Sequence, residues 1–378
     1  MKSELCEKLG IDFPLFAFSH CRDVAAAVSR AGGMGVFGAV TLTPEQLEVD
    51  LRWIDEHVDG RPYGVDLIVP DKVLGKGDAP DTERLLAAIP EQHKRYAESL
   101  LQEAGIDAAG LDEERRASVR FALNLQEGGA EELLEVAFSH PIRLIANALG
   151  VPPPIMLEMG RRHGVPVAAL VGAKEHAVRQ VEAGVDIIIA AGGEAGGHCG
   201  EVSTLVLVPE VIEAIRPISD VPVLAAGGIV TGRQMAACMA MGAAGAWTGS
   251  VWLTTAEAET SPAVREKLLR ASSRDTVRSR SRTGKPSRQL RSPWTDAWER
   301  GGPEPLPMPL QSLVSEPALR KIDKLSQGGH EGARRLATYW VGQGVGLMNH
   351  ETSVRQVMQE FQEDFLEAYE RLQTMLEG

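Results

Sequence analysis

The chain has 378 residues, of which 44% are hydrophobic and 24% charged, a composition ordinary for a globular protein of one large or two smaller domains. The formal net charge of −13 argues against nucleic acid or an anionic membrane surface as the main partner. No apolar run is long enough to span a bilayer, and we expect no signal peptide.

The cysteines indicate a reducing compartment. None of the four stands in a CxxC spacing, so we expect no disulfide frame, no structural zinc and a cytoplasmic location. The ordinary interpretation of each cysteine is a small buried hydrophobic side chain. One cysteine is an exception, because it directly follows a histidine. The four are Cys6, Cys21, Cys238 and the exception, Cys199.

Eight short apolar runs recur along the chain, each bounded by Gly or Pro. Their β-branched or alanine-rich composition is typical of strands buried on both faces of a parallel sheet. They lie at residues 11–18, 33–38, 63–69, 142–146, 165–171, 185–190, 221–226 and 244–248.

Helical patterns alternate with these runs. Residues 44–57 give the clearest one, because Thr43 stands at the N-cap position and Leu47, Leu51 and Ile54 share one face. Eight strand–helix pairs predict an α/β fold, the (β/α)8 TIM barrel, and a doubly wound sheet is the alternative. The other predicted helices cover 23–30, 131–138, 155–163, 174–182, 210–216, 232–241 and 256–270.

Two segments interrupt the alternation. Residues 71–120, after the third strand, are too long for a simple loop and predict a helical excursion. The Arg-, Ser-, Pro- and Gly-rich stretch 271–335 predicts a small inserted second domain, irregular or partly helical, on the substrate side of the barrel mouth. We therefore expect a barrel over 1–270, this insertion, and a C-terminal segment over 336–378.

The insertion begins with a basic run. It could grip a phosphorylated ligand, but a solvated loop paired with the acidic surface is the more common outcome for such a run. Its members are Arg274, Arg278, Arg280, Arg282, Lys285, Arg288 and Arg291.

The last pattern, over 352–376, is an amphipathic helix. Packing on the barrel and contact within a homodimer would both account for its apolar stripe. That stripe comprises Val354, Val357, Phe361, Phe365, Tyr369 and Leu372.

A glycine-rich stretch surrounds a single histidine. Residues 190–200 follow a predicted buried strand and place five glycines around His198. Because glycine costs backbone entropy, the cluster indicates either a tight turn or a planar or anionic ligand that approaches the main chain.

Two more glycine-rich loops follow the last two predicted strands. In a (β/α)8 barrel, the loops after strands seven and eight commonly bind phosphate through backbone N–H groups and a helix N-terminus. Gly227, Gly228, Gly249 and Ser250 occupy these positions, and Ser250 adds a hydroxyl group.

These loops together resemble the nitronate monooxygenases, FMN-dependent (β/α)8 barrels formerly called 2-nitropropane dioxygenases. The resemblance is strong over 10–70 and 140–260 and weak in the insertions. It rests on the motifs at 193–198, 225–229 and 248–250, with further matches at 25–35, 63–70 and 340–346. FMN-dependent enoyl-acyl-carrier-protein reductases share the Gly-Gly-His loop, so the resemblance identifies the superfamily more firmly than the reaction.

The resemblance implies FMN as cofactor and a role for each matching residue. His198 corresponds to the histidine beside the flavin, a base or substrate-orienting group, as suits an imidazole that titrates near neutral pH. Asp66 falls where the family usually has an asparagine that contacts the isoalloxazine ring. The loop close to the flavin corresponds to Gly193, Gly196 and Gly197. The phosphate-binding positions correspond to Gly227, Gly228, Thr248, Gly249 and Ser250.

Three departures from the family pattern lie around the expected mouth. Ser19 and His20 replace a Pro-Met type segment after the first strand. Asp66 replaces asparagine, and as a carboxylate it could accept a hydrogen bond but not donate one. Asn147 lies where many members have a histidine. We expect Ser19, His20 and Asn147 on the substrate side, and Cys199 behind the site rather than acting as a nucleophile.

The function that this resemblance implies is oxidation of an alkyl nitronate, or a propionate-3-nitronate-like compound, by O2. An NAD(P)H-dependent enoyl-thioester reductase is the alternative, and a flavin-binding protein without turnover is the third hypothesis. All three predict a small-molecule ligand and a flavin, and none predicts a metal, nucleic acid or a membrane.

Overall fold

The computed structural model describes residues 3–40, 42–69, 82–124 and 127–377. Eight parallel strands close into a barrel in chain order, which confirms the predicted TIM barrel and excludes the doubly wound sheet. The barrel strands are β1 (Leu15–Ser19), β2 (Met34–Gly38), β3 (Tyr63–Leu67), β4 (Leu144–Asn147), β5 (Val167–Val171), β6 (Ile187–Ala191), β8 (Val223–Ala226) and β9 (Gly245–Thr248). A separate three-stranded sheet contains β7 (Gly197–His198), β10 (Thr276–Ser279) and β11 (Ser287–Leu290).

Helices connect the strands and build the additions to the barrel. Those around the barrel are α1 (Glu4–Leu9), α2 (Arg22–Arg30), α3 (Pro44–His57), α7 (Glu127–Ser139), α8 (Pro154–His163), α9 (Lys174–Ala183), α10 (Thr204–Ile215), α11 (Gly232–Ala240) and α12 (Pro262–Arg270). The excursion contains α4 (Thr82–Ala87), α5 (Glu91–Glu103) and α6 (Leu111–Asn124), and the insertion contains α13 (Pro293–Arg300), α14 (Leu310–Gln327) and α15 (Glu331–Leu336). The chain's last helix is α16 (Val354–Glu377).

Alternating side chains along the strands build two apolar layers. One layer fills the barrel itself and includes Phe16, Val36 and Ala146, with α1 adding Leu5 and Leu9 at the end where the strands begin. The other layer lies between the strands and the surrounding helices. Membership of one layer or the other therefore tells which way a strand residue points.

Two helix starts differ from the prediction by six residues. The sequence pattern predicts a helix over 210–216, and Pro209 before it is unfavourable inside a helix. Instead α10 begins at Thr204, whose backbone N–H and hydroxyl both donate to the Glu194 carboxylate at 2.9 Å. Residues 250–254 form a 3₁₀ turn, and so α12 begins at Pro262 rather than at 256.

The predicted helical excursion and insertion pack against each other. Helix α14 contacts α4, α5 and α6, and in α13 the Trp298 ring lies 5.0 Å from Tyr96 of α5. We call α4–α6 with α13–α15 the helical lobe. The insertion is more regular than its Pro and Gly content suggested, since α14 runs for 18 residues with Pro317 inside it. Residues 71–81 of the predicted excursion lie outside the described residues.

Helix α16 packs on the barrel through its first half, against α11 and α2. Val354, Val357 and Phe361 are buried, whereas Tyr369 and Leu372 are exposed. Phe365 is partly buried and packs edge-on against the Phe13 ring at 5.9 Å. Packing on the barrel therefore accounts for four of the six residues of the predicted stripe, and the homodimer contact stays a prediction.

All four cysteines are free, as predicted, and only Cys199 is not buried. Within the described residues, no helix combines the length and the apolar character that crossing a membrane requires.

Candidate functional site

The histidine loop is attached to the inserted region by a small antiparallel sheet. Residues Gly197 and His198 form β7 and pair with Arg288 and Ser287 of β11. The Arg288 guanidinium adds two hydrogen bonds to the carbonyl oxygen of Gly193, at 2.9 and 2.7 Å. The insertion therefore forms one wall of the loop that was predicted to carry the chemistry.

The glycines of this loop serve two purposes. A Cβ atom on Gly193 would lie 3.1 Å from the Glu201 carbonyl oxygen, and one on Gly196 would lie 2.8 Å from the Gly342 nitrogen. These two positions are glycine because main chain packs on main chain. Gly197 differs, since it adopts a left-handed φ of 74° and its Cβ position has no atom within 4 Å among the described residues. Gly197 therefore borders open space.

His198 is held by a residue of the insertion. Its Nε2 lies 2.8 Å from Thr283 Oγ1, which also accepts from the Lys285 backbone N–H and donates to the Lys285 carbonyl, both at 3.3 Å. Because the threonine proton is directed to Lys285, the imidazole Nε2–H donates, and the neutral ring keeps a lone pair on Nδ1. Nδ1 has no hydrogen-bond partner in the described chain, so this arrangement suits a base.

Burial, together with the positive charges of Lys285 and Arg282, lowers the pKa of His198 to about 4. The imidazole is therefore neutral at physiological pH. Cys199 beside it has a raised pKa, chiefly through burial, which agrees with the expectation that this thiol is not a nucleophile.

Arg282 is a buried cation whose charge acts on two histidines. The residue is 6% exposed. Its guanidinium binds the Glu316 carboxylate through Nε at 2.7 Å and Nη2 at 3.2 Å, and lies 3.7 Å from the centre of the Trp340 ring. Nη1, on the edge away from Glu316, is buried without a partner in the described chain, as is Nε1 of Trp340. The Arg282 charge lowers the pKa of both His198 and His20.

His20 stands at the mouth, after β1. Its Nδ1 donates to the Gly38 carbonyl at 2.8 Å, and the Phe18 ring lies edge-on at 5.0 Å. Although the side chain reaches solvent, the surrounding protein lowers its pKa by desolvation, against a smaller opposing effect of the Gly38 bond. Its Nε2 is left for a ligand or water.

Asp66 points into the barrel. It pairs in register with Gly38 and Ala146, and Ala146 belongs to the interior layer. The residue is 1% exposed, and neither carboxylate oxygen has a hydrogen-bond partner among the described residues. Burial raises the pKa of Asp66 well above its usual range.

Three predicted site residues point away from the mouth. Asn147 accepts from Val69 N–H at 2.9 Å and donates to the carbonyls of Leu149 and Gly150, so its amide shapes the loop after β4. The Thr248 hydroxyl donates to Phe16 O and accepts from Trp252 Nε1, and Ser19 Oγ accepts from Cys21 N–H. These side chains support the barrel wall, and a ligand would meet at most the backbone there.

The loops predicted to bind phosphate converge as expected from barrel topology. Gly227 and Gly228 adopt left-handed φ values of 110° and 69°, and no backbone acceptor within the described residues takes the N–H of Gly228 or Gly249. Ser250 Oγ accepts from Gly342 N–H at 2.8 Å, which leaves its own proton to donate. The arrangement offers several free donors to an anion.

The late segment over 340–346 joins these loops. Gln343 N–H donates to Glu194 O at 2.9 Å, and a Cβ on Gly344 would lie 2.8 Å from Gly228 O. The segment thus lies against both the histidine loop and the first phosphate loop. The family resemblance includes this segment, but nothing in the local sequence indicates that Trp340 stacks on Arg282.

The basic run is largely neutralised by acidic neighbours. Arg278 pairs with Glu201 at 3.2 Å, Arg282 with Glu316, Arg280 with Glu304 and Arg291 with Asp296. The run was predicted either to bind a phosphorylated ligand or to pair with acidic groups, and the structure contains the pairing. The expectation of a solvated loop is wrong for Arg282, which is buried in the hairpin between β10 and β11.

The fold is that of an α/β-barrel enzyme, and its mouth combines glycine loops whose free N–H groups suit an anion with a neutral histidine. Comparison with known proteins makes the class specific. The family profile "Nitronate monooxygenase" matches residues 2–364. The chain is 52% identical over 380 residues to "Putative monooxygenase Rv1533" of Mycobacterium tuberculosis, with 100% of both chains covered.

Solved structures agree on the architecture. A nitroalkane oxidase from Streptomyces ansochromogenes shares the fold with a TM-score of 0.78 and 24% identity, covering 98% of this chain and 100% of that one. FabK from Thermotoga maritima gives a TM-score of 0.70 at 25% identity, covering 99% of this chain and 99% of that one. The chain belongs to the nitronate monooxygenase family and is a flavin-dependent oxidoreductase.

Alanine substitutions at Gly227 and Gly249 should distinguish a glycine required for packing from one that borders space for a ligand. Gly227→Ala should lower apoprotein stability by about 2 kcal/mol, because φ is 110° and the new Cβ would lie 2.6 Å from Thr204 Oγ1. Gly249→Ala should leave stability unchanged within about 0.5 kcal/mol, since the closest described atom lies at 3.9 Å. Chemical denaturation of both apoproteins measures this, and equal losses would contradict it.

The ionisation of His198 can be followed directly. NMR titration of the apoprotein should place its midpoint near 4, and Lys285→Met should raise that midpoint because a repelling charge is removed. Arg274→Met, another member of the basic run, is the control and should leave the midpoint in place. A wild-type midpoint near 6.5 would show that the imidazole is not held neutral.

Proposed function

We propose that this protein is an FMN-dependent nitronate monooxygenase that oxidises alkyl nitronates with O2. The observation that supports it best is the combination of a neutral imidazole, His198, with a buried guanidinium, Arg282, whose charge acts on it and whose Nη1 has no partner among the described residues. That combination suits a small carbon acid that becomes, or already is, an anion.

The residues present fit an FMN molecule. The free N–H groups of Gly228 and Gly249 and the Ser250 hydroxyl suit a phosphate monoester. A Cβ atom on Gly197 would have no described atom within 4 Å, and one on Gly249 would have none closer than 3.9 Å, so both glycines leave room for a ligand. Asp66, whose carboxylate has no partner among the described residues, can form hydrogen bonds with the edge of a ring inside the mouth. FMN bound across these groups would accept the substrate's electrons and return them to O2.

The charge distribution favours an anionic substrate. A nitronate carries negative charge on its two oxygen atoms, and a buried guanidinium with one free N–H₂ group is a strong, directional donor to such oxygens. Glu316 neutralises Arg282 on its opposite edge and fixes its orientation at the same time. An enoyl thioester carries no charge at its reacting carbons and makes less use of this group.

His198 provides proton chemistry at a defined atom. With Nε2–H donated to Thr283, Nδ1 can take a proton from the carbon of a nitroalkane or orient a nitronate that is already ionised. The low pKa keeps this atom unprotonated across the physiological range, and the positively charged neighbours favour the anion that forms.

Oxygen uptake tests the proposal. The purified protein should bind FMN and consume O2 with ethylnitronate. His198→Asn should retain FMN yet lose about 10²- to 10⁴-fold in kcat/KM with nitroethane, which must be deprotonated, and much less with ethylnitronate. Cys199→Ala, a change beside the histidine, should retain both activities.

Three results would count against the proposal. A protein that takes up no FMN would exclude the flavin. A protein whose flavin is reduced rapidly by NADPH without O2, and which is inert towards nitronates, would favour the enoyl-thioester reductase. A flavin-bound protein inert towards both would favour the non-catalytic hypothesis.

Arg282 should govern substrate affinity. Arg282→Met combined with Glu316→Gln, which avoids leaving a buried carboxylate unpaired, should raise KM for ethylnitronate about 10- to 100-fold with a smaller change in kcat, since a charge-assisted hydrogen bond contributes about 1.5–3 kcal/mol. Arg280→Met, two residues away and paired with the exposed Glu304, is the control. An unchanged KM in the double variant would remove Arg282 from the substrate site.

A further inference from the structure

Asp66 is a buried acid that nothing in the described structure neutralises. It lies one residue before the end of β3, and its two carboxylate oxygens are inaccessible and without hydrogen-bond partners among the described residues. Most buried carboxyl groups are paired with a cation or accept several backbone N–H bonds. An exception placed at a ligand-facing edge suggests that its partner is the ligand.

The surroundings of Asp66 are apolar on the side to which it points. Its register neighbours are Gly38 and Ala146, and the interior layer around the barrel axis consists of hydrophobic side chains such as Val36 and Trp247. An ionised carboxylate without a partner is very costly in such an environment, whereas a neutral carboxylic acid costs far less.

The titratable groups around Asp66 do not change this conclusion. On the β1 side, His20 bonds to the carbonyl of Gly38, and its own lowered pKa keeps it neutral. On the β4 side, Ala146 is apolar and Asn147 points outwards. His198 is likewise neutral, and Arg282 is paired with Glu316. No described cation forms a salt bridge with Asp66.

A neutral carboxylic acid and a primary amide have the same planar shape and the same pattern of one acceptor beside one donor. Each offers one acceptor oxygen and at least one donor on the adjacent atom. The flavin pyrimidine edge presents an N–H donor flanked by carbonyl acceptors, which matches such a pair.

We propose that Asp66 acts as a neutral carboxylic acid that donates one hydrogen bond to the flavin ring edge and accepts another, so that it performs the task of an amide. This inference rests on the proposed flavin site. It accounts for the substitution at this position without requiring an altered flavin geometry. It also makes flavin retention depend on pH, because an ionised Asp66 loses the donor and repels electron-rich ring oxygens.

The experiment compares FMN binding by apoprotein of the wild type, Asp66→Asn and Asp66→Leu, followed by flavin fluorescence from about pH 5 to about pH 9, a range that brackets a raised carboxyl pKa. At about pH 6 the wild type and Asp66→Asn should bind FMN within about threefold of each other, and Asp66→Leu about 10-fold or more weakly. As the pH rises through the Asp66 pKa, wild-type affinity should fall towards about tenfold per pH unit relative to Asp66→Asn. Comparison at each pH cancels the ionisation of the FMN phosphate.

An isotope-edited infrared spectrum of the apoprotein supplies a readout that needs no flavin. At about pH 6 the wild type should show the carbonyl band of a protonated carboxylic acid that is missing from Asp66→Asn. The inference would be overturned by any one of three results. The first is absence of that band. The second is an Asp66→Asn variant whose FMN affinity at this pH exceeds that of the wild type by more than about tenfold, and the third is an Asp66→Leu variant that binds FMN like the wild type. Failure of every variant to bind FMN, with the infrared band present, would instead overturn the proposed flavin site.

Discussion

The antiparallel pairing of β7 with β11 is the interaction on which the site depends. It contains only Gly197 and His198 on one side, yet it joins a loop of the barrel to a hairpin that lies far along the chain in the insertion. Arg288 of β11 stabilises this pairing by donating a hydrogen bond to the Gly193 carbonyl oxygen. Once the strands pair, Thr283 reaches His198, and Arg282 lies close enough for its charge to act on both mouth histidines.

The barrel was predictable because its signals are local. Apolar runs bounded by glycine and proline recur with helical patterns between them, and the capping box at Thr43 marks α3 to the residue. The start of α10 was not predictable in this way, because Glu194 is ten residues away and its carboxylate outweighs the local effect of Pro209. Local propensity is a weak prior wherever tertiary contacts supply the missing partner.

For the candidate site, the sequence predicted where the loops lie better than where their side chains point. His198, Asp66 and the glycine loops lie at the mouth, but the side chains of Asn147, Thr248 and Ser19 are turned away from it. A shift of one residue along a strand moves a side chain from the inner to the outer face of the barrel, and a motif match alone does not tell which face a residue occupies. Arg282 and Thr283 carried no distinguishing signal, because several basic residues stand in the same run and only folding buries Arg282.

The helical lobe holds the hairpin through α14. Gln311 and Ser315 both donate to the Ser281 carbonyl, and Glu316 binds Arg282, so one face of this helix supports the hairpin that carries Arg282 and Thr283. The groups that suit a phosphate belong instead to the barrel loops and the segment at 340–346. Because the hairpin and these loops belong to separate parts of the chain, the proposed function implies that changes in the lobe would alter which molecule reacts while the barrel retains the cofactor. The architecture therefore offers a route by which related proteins diverge in substrate without rebuilding their redox centre.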